Sequence, residues 1–148
     1  QIENNSYKVI FLGYHQNTTS LFQYANKSKK GTFPKSLVID YRYALQDQIK
    51  SFGSDVYYGD ISSPHTLEMA GVANAEVIVC CIDDMLLKGT SNLKLYEACK
   101  HINNDVKFIG TANDLKTEMN LLDSGVFAVL NPSNESAPAL FNKINKAL

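Results

Sequence analysis

Short apolar runs alternate with amphipathic segments along the chain. Lys8-Val9-Ile10-Phe11-Leu12 ends in Gly13 and predicts a buried strand. Residues from about Thr18 to Ala25 place Leu21, Phe22 and Ala25 on one face of a helix. After a loop from Asn26 to Lys35 that contains Gly31 and Pro34, Leu37 to Asp40 predicts a second strand. Leu45, Ile49 and Phe52 recur at helical spacing, and Gly53 stops that helix. Asp55 to Tyr58 predicts a third strand, closing on Gly59 and Asp60. Ser63 and Pro64 make a favourable helix start, and Gly71 makes its stop. Glu76 to Ile82 is the most strand-like run, and its nearly continuous apolar character suits a central parallel strand. Leu95, Ala98, Cys99 and Ile102 mark a helix, and Val106 to Ile109 a fifth strand. Leu115, Met119 and Leu122 mark the next helix, ended by Gly125. Val126 to Leu130 predicts a sixth strand, and Leu140, Ile144 and Ala147 line a final helix.

Strands alternating with helices of this length imply βαβ units and a parallel sheet. Right-handed crossovers leave few orders for it. The expected fold is α/β and Rossmann-like: a doubly wound six-stranded parallel sheet in the order 3-2-1-4-5-6, with helices on both faces. That order opens a ligand crevice at the carboxyl ends of the strands, where the first and fourth part. The whole chain, 1–148, reads as a single domain.

Composition narrows the function. Hydrophobic residues make up 45% of the 148 and charged residues 20%, an ordinary globular balance. A net charge of -1 gives no basis for nucleic-acid binding. The short basic run Lys27, Ser28, Lys29, Lys30 reads as a solvated loop. Arg42 is the only arginine, so forked recognition of a phosphate or carboxylate falls to it alone. Cys80 and Cys81 lie in an apolar run and Cys99 on a helix, without metal or redox spacing, which favours a reducing cytoplasmic setting. No stretch is apolar for long enough to span a membrane. The chain begins at Gln1, which suggests a piece of something larger.

The candidate chemistry gathers at the strand ends. Gly13-Tyr14-His15-Gln16-Asn17-Thr18 stands where a dinucleotide fold places G-x-G-x-x-G, with His15 and Thr18 in place of the second and third glycines. Gly13 can make the tight turn, and the helix start can hold one phosphate through its amides, with Thr18 or Thr19 adding a hydroxyl. His15 obstructs close approach of a pyrophosphate to the backbone. Asp40 ends the second strand, where an acid accepts hydrogen bonds from adenosine ribose; its plainer role is a helix cap. Tyr41 and Arg42 follow it. Arg42 can meet a 2′-phosphate or simply sit on the first helical turn. Asp60, beside Ile61, stands near an adenine lying across the sheet edge, and capping is its alternative. Ile82 and Asp83 close the fourth strand, and the acids Asp83 and Asp84 read as solvated loop residues. His65 and His101 read as surface residues. No nucleophile elbow or metal-ligand spacing is present.

The stretch Tyr58-Gly59-Asp60-Ile61-Ser62-Ser63-Pro64-His65-Thr66-Leu67, followed by Ala70-Gly71-Val72 and Ala75-Glu76-Val77-Ile78-Val79, resembles the TrkA-N domain. This family, also called the KTN or RCK N-terminal domain, contains the nucleotide-binding regulators of potassium channels and of potassium or sodium transporters. The likeness continues through Asn92-Leu93, Lys107-Phe108-Ile109, Ser124-Gly125-Val126 and Asn131-Pro132, and so covers about Lys8 to Ser133. Gly13-Tyr14-His15 and Leu86-Leu87-Lys88-Gly89-Thr90-Ser91-Asn92 look most like the domains fused behind Kef-type cation/proton antiporters.

The resemblance implies a homodimeric regulator beneath a transmembrane cation-transport domain, held at the inner face of the membrane. Its implied binding set is Gly13, Tyr14, His15, Asp40, Asp60, Ile61, Ile82 and Asp83; Thr18, Tyr41 and Arg42 complete the candidates. The family's full glycine fingerprint is absent, which favours AMP, ADP or ATP over NAD. A regulatory module without turnover is therefore expected. The competing reading is the cofactor half of a nicotinamide-dependent oxidoreductase. A structural dimerisation module is a third.

Overall fold

The computed structural model describes residues 6–28 and 35–148. The loop residues Lys29, Lys30, Gly31 and Pro34 lie outside the described residues. Six strands, β1 (Val9–Leu12), β2 (Ser36–Asp40), β3 (Asp55–Tyr58), β4 (Val77–Val79), β5 (Lys107–Thr111) and β6 (Ala128–Leu130), form one sheet. Their order is β3-β2-β1-β4-β5-β6, as expected. Every neighbouring pair is parallel. Leu12 pairs with Ile39 and Asp40 with Tyr58, so the carboxyl ends of the first three strands share one edge.

The helices are α1 (Gln16–Lys27), α2 (Gln46–Ser51), α3 (Pro64–Met69), α4 (Asn92–Ile102), α5 (Leu115–Ser124) and α6 (Pro132–Ala147). Strand alternation sends Ile10, Leu12, Leu37, Ile39, Ile78 and Phe108 to one face, where they pack with Leu67 of α3, Leu95 and Cys99 of α4, and Leu121 of α5. On the other face, Phe11 and Val38 meet Phe22 of α1 and Ile49 of α2. Phe11 and Phe22 pack edge to face with ring centroids 5.1 Å apart. The thiols of Cys80 and Cys99 are buried, and burial pushes both up to about 12, so they behave as small hydrophobes.

Among the described residues, half of that second face carries no helix. Val77 and Val79 of β4, Ile109 of β5 and Leu130 of β6, with Leu21 of α1, line an apolar groove of about 470 Å³. In a doubly wound domain the last helix ordinarily returns to cover such strands. Here α6 has no buried residue, and Leu140, Phe141 and Ile144 are 59%, 65% and 50% exposed. The helix predicted around Leu140, Ile144 and Ala147 is present, but its apolar stripe has no cover. The same holds for α5, where Leu115, Met119 and Leu122 are exposed and Leu121 alone is buried.

Several boundaries differ from expectation; the fifth strand, for one, runs over Lys107–Thr111. The first helix starts at Gln16, with His15 in extended conformation before it. The fourth strand covers only Val77–Val79, because Cys80 to Ile82 bend beneath the crevice and owe their apolar character to burial. The sixth strand starts at Ala128, after Gly125 has ended α5 and Val126 has entered the core.

Candidate functional site

At the edge where β1 and β4 part, a pocket of about 160 Å³ opens. Of the predicted residues, Gly13, Tyr14, His15, Asp40, Tyr41, Arg42, Asp60, Ile61 and Ile82 line it together. Thr18 and Asp83 do not. Thr18 is fully buried, accepts the His15 N–H at 3.2 Å and bonds the Cys81 thiol. Asp83 caps the turn 84–86 by accepting from the Met85 N–H at 3.4 Å. Leu86, Leu87, Lys88 and Thr90 complete the lining and were missing from the predicted set. Their signal was present, since they belong to the loop that carries the Kef-type resemblance.

Gly13 makes the turn that begins the site. Its φ is +79°, and its N–H donates to the Ile39 carbonyl at 2.7 Å. A Cβ there would stand 2.5 Å from Ile82 Cδ1, so the side chain at 82 would be driven into the pocket. The left-handed backbone alone costs a non-glycine residue about 1–2 kcal/mol. Gly13→Ala is therefore expected to lower the melting temperature by roughly 3–6 °C. An unchanged melt would show that this turn relaxes freely.

Asp40 is only 3% exposed, and both its oxygens are occupied. Oδ1 accepts from the Arg42 N–H at 2.8 Å and from Arg42 Nε at 3.1 Å; Oδ2 accepts from the Tyr14 N–H at 2.9 Å and from Arg42 Nη2 at 2.9 Å. Burial raises the carboxyl pKa, but the bonds from Arg42 and Tyr14 outweigh it and hold the group below its ordinary value. This contribution to stability is present at neutral pH and is lost as pH falls through the depressed pKa. The acid expected to hold ribose thus holds Arg42, which also donates to the Tyr14 carbonyl.

Asp60 is the exposed carboxylate of the lining. Its Oδ1 accepts from the Ser62 hydroxyl at 2.7 Å and the Ser62 N–H at 2.9 Å, which lowers its pKa and shapes the turn into α3. His15 stands in a capping-box arrangement with Thr18 at the start of α1, and its buried Nδ1 makes no further hydrogen bond among the described residues. Lys88 forms no ion pair among the described residues. The loop bearing Lys88 is anchored by Asn92, whose Nδ2 donates to the Ile82 carbonyl at 2.9 Å and to Asp84 Oδ1 at 2.8 Å. Asp83 and Asp84 therefore serve separate turns, and among the described residues no cluster of metal-binding side chains occurs. No helix among them is long and apolar enough to cross a membrane.

Fold and pocket together define a doubly wound domain with its crevice at the topological switch point. The chain belongs to the TrkA-N domain family, which matches residues 9–132. Among its sequence relatives is the glutathione-regulated potassium-efflux system protein KefC of Cronobacter sakazakii, 30% identical over 85% of this chain. The chain spans 19% of that relative's length. Its fold is similar to the TrkA-N domain of the inner membrane protein ybaL from Escherichia coli, with a TM-score of 0.75, 14% identity and coverage of 94% and 97% of the two chains. It is also similar to the GsuK channel bound to NAD (TM-score 0.69, 17% identity, 89% of this chain and 22% of that one). The Kef C-terminal domain of Shewanella denitrificans in its AMP-bound form gives a TM-score of 0.65 at 22% identity, covering 92% of this chain and 76% of that one. At these identities the structural likenesses establish the fold.

Proposed function

We propose that this domain is the regulatory module of a Kef-type monovalent-cation transporter, and that it binds an adenine nucleotide in the pocket to gate transport. The observation that carries this reading is the pocket's chemistry. A bare glycine turn, the start of α1 and the cations Arg42 and Lys88 converge at the switch point. The AMP- and NAD-bound states of the two structural neighbours support the ligand class. An adenine mononucleotide is preferred to NAD, since His15 occupies the approach a pyrophosphate needs and the cavity is smaller than a typical ligand pocket of about 300 Å³ or more. The domain acts at the cytoplasmic face as a homodimer joined to a transmembrane partner, and it turns nothing over.

A melting panel tests this. Ligand at a hundred times its dissociation constant adds about 2.7 kcal/mol, roughly 5–10 °C for a domain of this size. AMP, ADP or ATP is expected to give such a shift, and NAD a smaller one. NADH and ATP should remain unchanged on prolonged incubation. Oxidation or hydrolysis that follows the purified protein would favour the oxidoreductase reading.

A further inference from the structure

In folds of this kind an acid at the end of the second strand accepts the adenosine 2′-hydroxyl, while a nearby arginine takes a 2′-phosphate instead. The pocket here holds both residues, bonded to each other. A carboxylate offers about four acceptor positions. Those of Asp40 are filled by two main-chain amides, Tyr14 and Arg42, and by Nε and Nη2 of the Arg42 side chain. A ribose hydroxyl gains a bond to Asp40 only by breaking one of these in a nearly sealed site.

Arg42 is in the opposite condition. Its fork is fixed by Asp40, and Nη2 also donates to the Tyr14 carbonyl. These bonds use three of the guanidinium's five donors. Both N–H groups of Nη1 have no partner among the described residues. The side chain keeps 44% of its surface exposed and lines the pocket. A guanidinium already oriented on one edge loses little freedom when its other edge binds an anion, and its planar fork matches phosphate oxygens. Lys88 on the same lining adds to the anionic preference.

We infer that the pocket selects adenosine nucleotides that carry a phosphate on the ribose 2′ or 3′ oxygen, with Nη1 of Arg42 bound to that phosphate. This assignment rests on the nucleotide reading above and sharpens it. Two sources supply the chemistry, a mononucleotide bisphosphorylated at 2′,5′ or 3′,5′ and a dinucleotide with a 2′-phosphate such as NADP; the obstruction at His15 makes the mononucleotide the expected one. Asp40 acts as a positioning residue, holding the fork at the angle the phosphate needs.

Calorimetric titration of the domain with matched ligands tests the assignment. The pairs are 5′-AMP against adenosine 2′,5′- and 3′,5′-bisphosphate, and NAD against NADP, with pyrophosphate as a charge control. The ribose-phosphorylated member of at least one pair is expected to bind about tenfold tighter or more, the lower end for a charge-assisted pair. A dinucleotide gain or a mononucleotide gain identifies the source. Arg42→Ala is expected to abolish that gain, so that each ribose-phosphorylated ligand binds no tighter than its unphosphorylated counterpart. Arg42→Lys keeps a charge without the fork and should retain only part of the gain. Equal affinity within every pair of the parent overturns the assignment and leaves nucleotide binding standing; pyrophosphate binding as tightly as the bisphosphates also overturns it. No binding by any adenine nucleotide overturns both readings. If Arg42→Ala fails to fold, the ratios measured on the parent decide.

Discussion

Asn92→Leu is expected to lower the melting temperature by about 10–15 °C, from a loss of roughly 3–5 kcal/mol. Asn92 is fully buried, so no solvent stands ready to replace its bonds. Its side chain donates to the Ile82 carbonyl and to Asp84, and accepts the Thr111 N–H at 2.9 Å. Leucine is close in volume and suits a helix, so the cost comes from the polar groups left behind. Each stranded group loses about 1–3 kcal/mol, and Asp84 retains the Asn92 main-chain N–H at 2.7 Å, which keeps the sum below the maximum. The same substitution releases the loop carrying Leu86 to Thr90 and should weaken ligand binding. Calorimetric unfolding measures the first effect. A shift under about 2 °C would mean that water enters this corner and that Asn92 is dispensable.

Phe141→Asp combined with Ile144→Asp is expected to convert a dimer into a monomer while the domain stays folded. The pair lies on α6, which buries nothing in its own chain, while the groove over β4 to β6 remains without cover. A lone helix of this length is marginal in water, so α6 needs an external surface. In the proposed homodimer, a second copy exchanging α6 lays this stripe into the groove over β4 to β6. Burying Leu140, Phe141 and Ile144 is worth about 1.5–3 kcal/mol each. A reciprocal exchange doubles the sum to roughly 9–18 kcal/mol, against an association cost of about 4–15. One stripe alone would fall short across much of that range, and two cover more of it. Light scattering on parent and variant at tens of micromolar decides the matter. A monomeric parent contradicts the exchange, and a variant that still dimerises moves the interface elsewhere.

The sheet was legible in the sequence because six apolar runs, each closed by a turn residue, leave a parallel order almost without alternatives. Burial was less legible. Periodicity finds a helix from its apolar stripe and assumes that the stripe faces the core, yet Leu115, Met119 and Leu122 face outward, as do Leu140 and Ile144. A stripe that its own chain leaves exposed has the same spacing as one packed on the chain's own sheet. In the pocket, strand ends located nine of the eleven candidate residues. Thr18 lies outside the lining, its hydroxyl turned to the His15 N–H and the Cys81 thiol, and a linear pattern does not show which way a hydroxyl on the first helical turn faces. Arg42 read either as a 2′-phosphate contact or as a residue of the first helical turn, since nothing in a linear pattern shows a side chain turning back to grip an acid two positions earlier. Lys88 lies in an irregular loop that folds over the pocket only because Asn92 and Asp84 pin its ends.

The central claim is that an adenine nucleotide occupies the pocket at the strand ends, and amide chemical-shift mapping tests it most directly. With 15N-labelled domain titrated with 5′-AMP, the largest shifts are predicted at Gly13 to Asn17, Tyr41 to Arg42, Asp60 to Ile61 and Leu87 to Thr90. Val77, Ile109 and Leu130, which line the apolar groove, should stay still. No saturable shift at millimolar AMP, ADP or ATP, or shifts gathered on the groove instead, would contradict the account.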